Sequence, residues 1–227
     1  MSEKEKGTII FGRIICLLVG IFGFISFFSS IFLPESLQHI ILSNDYLNDY
    51  GQHIWHFRFT NISFIIFKIL SVGLIAFFYL IVRPKNFALV FFISLLSAYG
   101  SFLGAVYHLK LTMYVNQLYI AYQTANELVQ TILLTVGLPN YEQRVFISGL
   151  PALWWMVVSI LALSNPMIPK KLIILGMLIS ITLIAYIVLF YMEQVSGLKW
   201  VFLTYSSLIT IWSFLEFRFL SKVIKKG

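Results

Sequence analysis

The chain has 227 residues, of which 59% are hydrophobic and only 11% are charged, and its net charge is +7. So few charged residues cannot cover the surface of a water-soluble domain, which excludes that class. The basic residues are spread over several gaps and both termini, so they indicate orientation in a membrane and no nucleic-acid partner. The single cysteine, Cys16, excludes an intrachain disulfide.

Six apolar runs follow one another along the chain, each near the roughly 20 residues that cross a lipid bilayer. The first run is too long for a cleavable signal peptide, and no small-residue cleavage site follows it before Pro34. We therefore predict an all-α fold with 1–227 as a single integral membrane domain: a polytopic transmembrane helix bundle of six spans plus one amphipathic outer helix. The spans lie at about 9–32, 62–82, 87–106, 146–164, 172–192 and 198–219.

Lysine and arginine predict the orientation of this bundle, because cytoplasmic loops carry an excess of them. With six spans and a cytoplasmic N-terminus, eleven of the 16 basic residues lie inside and four outside, while Lys68 lies within a span. We therefore predict a multi-pass protein of the cell (inner) membrane, surrounded by the lipid bilayer, with both termini in the cytoplasm. The inner residues are Lys4, Lys6, Arg13, Arg83, Lys85, Lys170, Lys171, Arg218, Lys222, Lys225 and Lys226, and the outer ones are Arg58, Lys110, Arg144 and Lys199.

The segment 107–136 decides the number of spans, since it contains no glycine or proline and could itself be a crossing helix. If it crossed, seven basic residues would lie inside and eight outside, and the asymmetry would disappear. We therefore predict that 107–136 is a helix that stays on the outer side or enters a cavity.

Polar residues in this outer helix are three or four positions apart, which places them along one side. One interpretation is an interfacial helix whose polar side meets water, although such helices usually carry lysine and arginine there. The other is a ligand-binding cavity, which neutral amides, a histidine and a glutamate favour. The predicted lining is Lys68 of the second span with His108, Asn116, Gln123, Glu127 and Gln130.

Ionisable residues within a span are costly and therefore mark candidate functional positions. Arg13 in the first span and Glu216 in the last have similar depths, so they either form an ion pair or extend separately to the cytoplasmic interface. Lys68 lies about 9 Å from the outer end of the second span. It either extends outward or faces the cavity and attracts an anionic head group, with Glu127, Glu193 or a carboxylate of the first outer loop as counter-charge.

Gly100 and Gly104 form a G-x-x-x-G pattern beside small serines, and residues of this size let two membrane helices approach closely. We predict a structural role in tight packing. A second copy of the chain or another membrane protein could pack on this 97–105 face, which defines the hypothesis of a non-catalytic accessory or assembly subunit.

The histidines are predicted to lie on the outer side. His53 and His56 are three residues apart, a spacing compatible with zinc or copper on one helical turn. Tyr50 and Trp55 beside them favour an aromatic belt at the interface instead, and pH sensing is a third interpretation. Named catalytic motifs are absent, so no catalytic residue and no cofactor are predicted.

Four short motifs in the second half follow a recognisable order: a span begun by glycine and proline, a proline-basic inner turn, a glycine, and a late helix with tryptophan and glutamate. They are Ser148-Gly-Leu-Pro151, Pro169-Lys-Lys-Leu172, Leu175-Gly176 and Trp212-Ser-Phe-Leu-Glu216. This half resembles an uncharacterised family of bacterial multi-pass membrane proteins, the domain of unknown function 4386. The resemblance implies an α-helical membrane bundle and no known activity.

The leading functional hypothesis is a membrane protein that binds a small amphiphile or solute in an outward-facing polar cavity. The accessory or assembly subunit is the first alternative. A membrane-embedded metal-dependent enzyme that uses outer histidine and aspartate side chains is the second, and the absence of catalytic motifs favours a non-enzymatic role over it.

Overall fold

The computed structural model describes residues 3–38, 43–82, 86–136, 143–165, 168–192 and 195–226, and all regular secondary structure in these ranges is helical. The helices are α1 (Glu3–Ile31), α2 (Glu35–Gln38), α3 (Asn44–Gln52), α4 (Ile54–Val82), α5 (Phe87–Thr124), α6 (Glu127–Val136), α7 (Gln143–Ala162), α8 (Lys170–Tyr191) and α9 (Val195–Lys226).

Five of these helices are long and apolar enough to cross a membrane, and each coincides with a predicted span. The predicted all-α class and the membrane character are therefore confirmed. The sixth predicted span corresponds to α7, whose apolar part, Phe146–Ala162, is shorter than the other five. The five long segments are Glu5–Ile31, Ile54–Leu80, Phe87–Thr124, Lys170–Tyr191 and Gly197–Ile224.

Six helices form a closed ring in the order α1, α4, α5, α7, α8 and α9, and α9 packs back onto α1. Neighbours in the ring run antiparallel. On α1 and α9, for example, Arg13 lies against Phe217, whereas Gly23 lies against Thr210. The contacts of the other neighbouring pairs alternate in the same way. The start of α1 and the end of α9 therefore share one end of the bundle, which we name the terminal end; the opposite end is the distal end.

Aromatic side chains fill the middle of the ring. Phe78, Trp154, Trp155 and Trp212 are buried, and the centroids of their adjacent rings are 4.9–5.9 Å apart. The indole N–H groups of Trp154 and Trp212 each donate a hydrogen bond to a neighbouring helix, so their burial leaves no indole donor unpaired. This aromatic cluster lies towards the terminal end, since Trp212 bonds to Leu172 in the first turn of α8.

The predicted outer helix at 107–136 is not one separate helix, which corrects the prediction. Residues 107–124 continue α5 without interruption, so α5 contains 38 residues and is about 57 Å long at about 1.5 Å per residue. Because the hydrocarbon core of a bilayer is only about 30 Å thick, the last part of α5 extends beyond the membrane-spanning part at the distal end.

A short second helix, α6, follows the end of α5. The side chain of Asn126 accepts a hydrogen bond from the backbone N–H of Val129 (3.0 Å), which caps the start of α6. The Gln130 side chain donates to the carbonyl of Tyr122 (3.0 Å) and so fixes α6 to the end of α5. With ten residues, α6 is too short to cross a bilayer.

Helix α3 packs against the extended part of α5 and forms a cap at the distal end. Ser43 caps the start of α3 by accepting a hydrogen bond from the N–H of Tyr46. Apolar side chains from both helices are buried together, namely Tyr46, Leu47 and Tyr50 of α3 with Leu111, Val115 and Leu118 of α5. The side of 107–124 predicted to be apolar therefore packs within the protein.

Candidate functional site

A hydrogen-bonded pair joins α4 and α5 in the distal half of the ring. The Asn61 side chain donates from its nitrogen to the carbonyl of Phe57 (2.9 Å), which leaves its oxygen as an acceptor. Nδ1 of His108 lies 2.8 Å from that oxygen, so the imidazole donates to it. The ring of Phe64 stacks on the imidazole with centroids 4.9 Å apart. Together these contacts fix both the position and the tautomer of His108.

Lys68 lies seven residues after Asn61 and therefore about two helical turns further from the distal end on the same face of α4. Its aliphatic stem packs against Gly104, one turn before His108: a Cβ atom at Gly104 would lie 3.2 Å from Cδ and Cε of Lys68. Since side chains tilt towards the start of their helix, the ammonium group is directed towards the distal end.

The ammonium group of Lys68 has no partner within the described ranges: it forms neither a hydrogen bond nor an ion pair there, although the side chain is half-buried. Two counter-charges were predicted by residue, and of these Glu127 is exposed on α6 and does not pair with Lys68. The other, Glu193, lies outside the described residues. Lys68 is therefore a cation without an observed counter-charge.

A second hydrogen-bonded group joins α3, α4 and α5 nearer the distal end. Oδ1 of Asn116 accepts hydrogen bonds from Nη2 of Arg58 (2.7 Å) and from the hydroxyl of Tyr50 (3.3 Å). The Arg58 guanidinium also lies over the ring of Trp55, 5.6 Å from its centroid. Burial raises the pKa of the Tyr50 phenol, and the hydrogen bond and charge of Arg58 partly oppose that rise.

These residues form one basic line along the α4–α5 interface. We name Lys68, Asn61, His108, Arg58 and Asn116 the distal seam. A lysine, an arginine and an imidazole lie along it, and neither Lys68 nor Arg58 forms an ion pair with a carboxylate in the described part of the chain. A seam of this composition attracts an anion rather than a cation or a metal ion.

Of the six residues predicted to line a cavity, the structure brings Lys68, His108 and Asn116 to the distal seam. The other three lie elsewhere: Gln123 and Glu127 are exposed, and the Gln130 side chain is used in the hydrogen bond that joins α6 to α5. These three therefore lie apart from the distal seam, and the turn at 125–126 ends the helical face before Glu127 and Gln130. The cavity lining itself stays a prediction.

Two seam residues were not predicted as functional. Asn61 is 4% exposed and lies on the face of α4 that carries Lys68. The signal in the sequence was its position seven residues before Lys68, because residues seven apart share one face of a helix. Arg58 entered the sequence analysis only as a basic residue that indicates orientation. Its contact with Asn116, 58 positions away, depends on how α3, α4 and α5 pack.

The histidines proposed as metal ligands have other roles. His53 ends α3, where its backbone N–H donates to the carbonyls of Asp49 and Tyr50. Nε2 of His56 lies 2.9 Å from the carbonyl oxygen of Ser29 and so links α4 to α1. Across the described ranges, no group of three or more His, Cys, Asp or Glu side chains is arranged to hold a metal ion.

The small-residue face at 97–105 is covered within the chain. A Cβ atom at Gly100 would lie 2.8 Å from the carbonyl oxygen of Phe146 and 3.1 Å from Leu150 and Pro151 of α7, and Gly104 packs against Lys68. Both glycines are buried. The tight packing predicted here is therefore made between α5, α7 and α4 of one chain, and the face is not open to a partner.

Arg13 and Glu216 do not form the ion pair considered from the sequence. The guanidinium of Arg13 lies over the ring of Phe217, 5.5 Å from its centroid. Glu216 is buried, and its Oε2 has no hydrogen-bond partner among the described residues. Similar depth is not sufficient for pairing, because the two side chains point in different directions around their helix axes.

An apolar groove of about 470 Å³ lies between α1 and α4 at the distal end. Four phenylalanines line it, and each is about half-exposed. The lining includes Phe24, Phe28, Phe32 and Phe59 together with Ser29 and His56. A groove of this composition suits a hydrocarbon chain.

The fold and the seam define a class: an α-helical membrane bundle with a basic polar seam at one end. No family model, curated protein or solved structure matches this chain. The resemblance to the family of unknown function 4386 therefore stays a prediction.

Proposed function

We propose that this protein is an integral membrane protein that binds an amphiphile with an anionic head group at the distal seam. The observation that carries the proposal is the half-buried ammonium group of Lys68, which is directed into the seam and has no partner in the described ranges. A cation inside a membrane bundle is costly unless it is paired, and such residues mark ligand or ion sites.

The seam offers an anion two kinds of interaction. Lys68 supplies a compact positive charge, and the guanidinium of Arg58 supplies further N–H donors beside its bond to Asn116. Charge-assisted hydrogen bonds of this type are stronger than neutral ones. An amphiphile fits better than a water-soluble anion, because apolar side chains such as Leu109 and Met113 are exposed on the same stretch of α5. The phenylalanine groove beside α4 would accept its hydrocarbon chain.

The same proposal includes the topology. Helix α7 alternates in direction with α5 and α8 in the ring, and its 20 residues span about 30 Å, which is the thickness of the hydrocarbon core. We therefore propose six crossings. The excess of lysine and arginine at the terminal end places that end in the cytoplasm. The distal seam then faces the outer leaflet of the cell membrane, from which the amphiphile enters.

Thermal unfolding of the purified protein in a non-ionic detergent tests this function. The probe is a long-chain fatty acid at a pH where its carboxyl group is ionised. A ligand that binds the folded state at about 100 times its Kd stabilises it by about 2.7 kcal/mol, so the unfolding temperature should rise with fatty acid concentration. An alkyltrimethylammonium of equal chain length controls for hydrophobic binding alone.

The matched variants are Lys68→Met and Lys110→Met. Both remove one positive charge, but Lys110 is exposed on α5, whereas Lys68 is half-buried. Lys68→Met should abolish the stabilisation by fatty acid, and Lys110→Met should retain it. Equal stabilisation of wild type and Lys68→Met would contradict the assignment of Lys68. Equal effects of the anionic and cationic amphiphiles would contradict the proposed charge of the ligand.

A further inference from the structure

Glu216 is a buried carboxyl group in the terminal half of the bundle. It lies on α9, one turn after Trp212 of the aromatic cluster, and is 3% exposed. Its Oε2 has no hydrogen-bond partner in the described part of the chain. Ser213, three residues earlier on α9, is fully buried, and its hydroxyl also lacks a partner there. The protein itself therefore excludes solvent from this oxygen of Glu216, whatever surrounds the bundle.

The described groups around Glu216 do not neutralise a negative charge. From α1, Cys16 is buried and close enough for electrostatic coupling, but a thiol cannot compensate a carboxylate. The guanidinium of Arg13 lies over Phe217 instead of pairing with Glu216. Helix α4 contributes the phenylalanines of the core beside this region. Of the basic residues at the terminal end of α8 and α9, those whose burial the structure describes are exposed, namely Lys170, Lys171, Arg218 and Lys222.

A carboxylate buried without a partner is far less stable than the neutral acid, which loses little hydration on burial. We propose that Glu216 is a proton-binding site and is held as a neutral carboxylic acid at neutral pH. The aromatic cluster blocks the path to the distal end, so the proton exchanges with the terminal end, where about 15 Å of α9 follow Glu216. This site is independent of the proposed amphiphile site, since the cluster lies between Glu216 and Lys68.

A bound proton makes stability depend on pH in one direction. The unfolded chain releases its glutamate proton near the ordinary pKa of about 4.3, whereas the folded protein retains the proton to higher pH. The folded state then binds more protons than the unfolded state, so stability falls as pH rises. One retained proton lowers the folding equilibrium constant about tenfold per pH unit until Glu216 ionises in the folded protein.

Denaturant unfolding of the full chain in detergent between about pH 5 and pH 9 tests the site. The variants are Glu216→Gln, which imitates the neutral acid, and Glu127→Gln, which alters an exposed carboxyl group. As pH rises, the folding equilibrium constant of the wild type should fall relative to that of Glu216→Gln by about tenfold per pH unit. Glu127→Gln should follow the wild-type curve. If the ratio of the two folding equilibrium constants, wild type to Glu216→Gln, does not change with pH, the proposal is overturned.

Infrared spectroscopy of the wild-type protein gives a second measurement that does not require a folded variant. A carboxylic acid and a carboxylate have different C–O stretching bands. The proposal expects a protonated carboxyl band that persists at neutral pH, where exposed aspartate and glutamate are ionised. Glu216→Asp should shift that band in frequency. A neutral-pH spectrum with carboxylate bands alone overturns the proposal.

Discussion

Adding one methyl group at Gly100 should separate α5 from α7. The Cβ atom of alanine would lie 2.8 Å from the carbonyl oxygen of Phe146 and 3.1 Å from both Cβ of Leu150 and Cδ of Pro151. Two of these three contacts involve the backbone or the proline ring, which cannot rotate away. The Gly100→Ala methyl therefore forces a movement of the helices themselves.

The size of the effect follows from two opposing contributions. Replacing glycine by alanine within a helix adds about 1 kcal/mol of stability through backbone entropy. Overpacking a tight interface costs about 1–3 kcal/mol. Gly7 near the start of α1 is the matched control, because a Cβ atom there would meet nothing within 4 Å. We expect Gly100→Ala to be less stable than Gly7→Ala by about 1–3 kcal/mol.

Denaturant unfolding in detergent, followed by circular dichroism, measures this difference. Gly104→Ala should give an intermediate result, since its Cβ atom would meet the flexible side chains of Lys68 and Ile147 at 3.2 Å. If Gly100→Ala and Gly7→Ala have equal free energies of unfolding, α5 does not pack on α7 as described. In that case the face at 97–105 would again be open to a partner.

Two further results are expected. The double-mutant cycle of Asn61→Ala and His108→Ala should give a coupling energy of about 0.6 kcal/mol, and at most about 1.7 kcal/mol, because hydrogen bonds between membrane helices contribute free energies of this size. Additive effects of the two substitutions would contradict the hydrogen bond between these residues in the distal seam. In a Cys16→Ser background, a membrane-impermeant thiol reagent added to intact cells should label Gln123→Cys, which is exposed, but not Leu118→Cys, which is 4% exposed. Labelling of both, or of neither, would contradict the proposed distal cap or its outward orientation.

The sequence alone predicted the helices of the bundle well. Each of the five long apolar helices lies on a predicted span, because a run of about 20 apolar residues has few alternatives to a membrane helix. The sequence did not predict that the helix of the third span continues well beyond residue 106. Hydropathy falls after residue 106, but the backbone hydrogen bonds of α5 continue to Thr124, since the polar residues there are still good helix formers.

The predicted cavity lining stays a prediction, and the structure brings only part of it to one place. The spacing placed His108 and Asn116 on one side of α5, and the structure brings both to α4. The same spacing extended this face to Gln123 and Glu127, which the structure leaves exposed. A periodic pattern predicts which residues share a helix face, but it does not predict the position at which a turn ends the helix.

Tertiary structure decided the contacts between distant parts of the chain. Asn61 and His108 are 47 positions apart, and their contact depends on the rotation and axial shift of α4 against α5. The same freedom explains why Glu216 lies at the depth of Arg13 and still does not pair with it. Composition and periodicity determine which residues share a helix face and how deep they lie in the bilayer. The packing of side chains between helices determines which faces meet, because close packing selects one rotation and register among many with equal hydropathy.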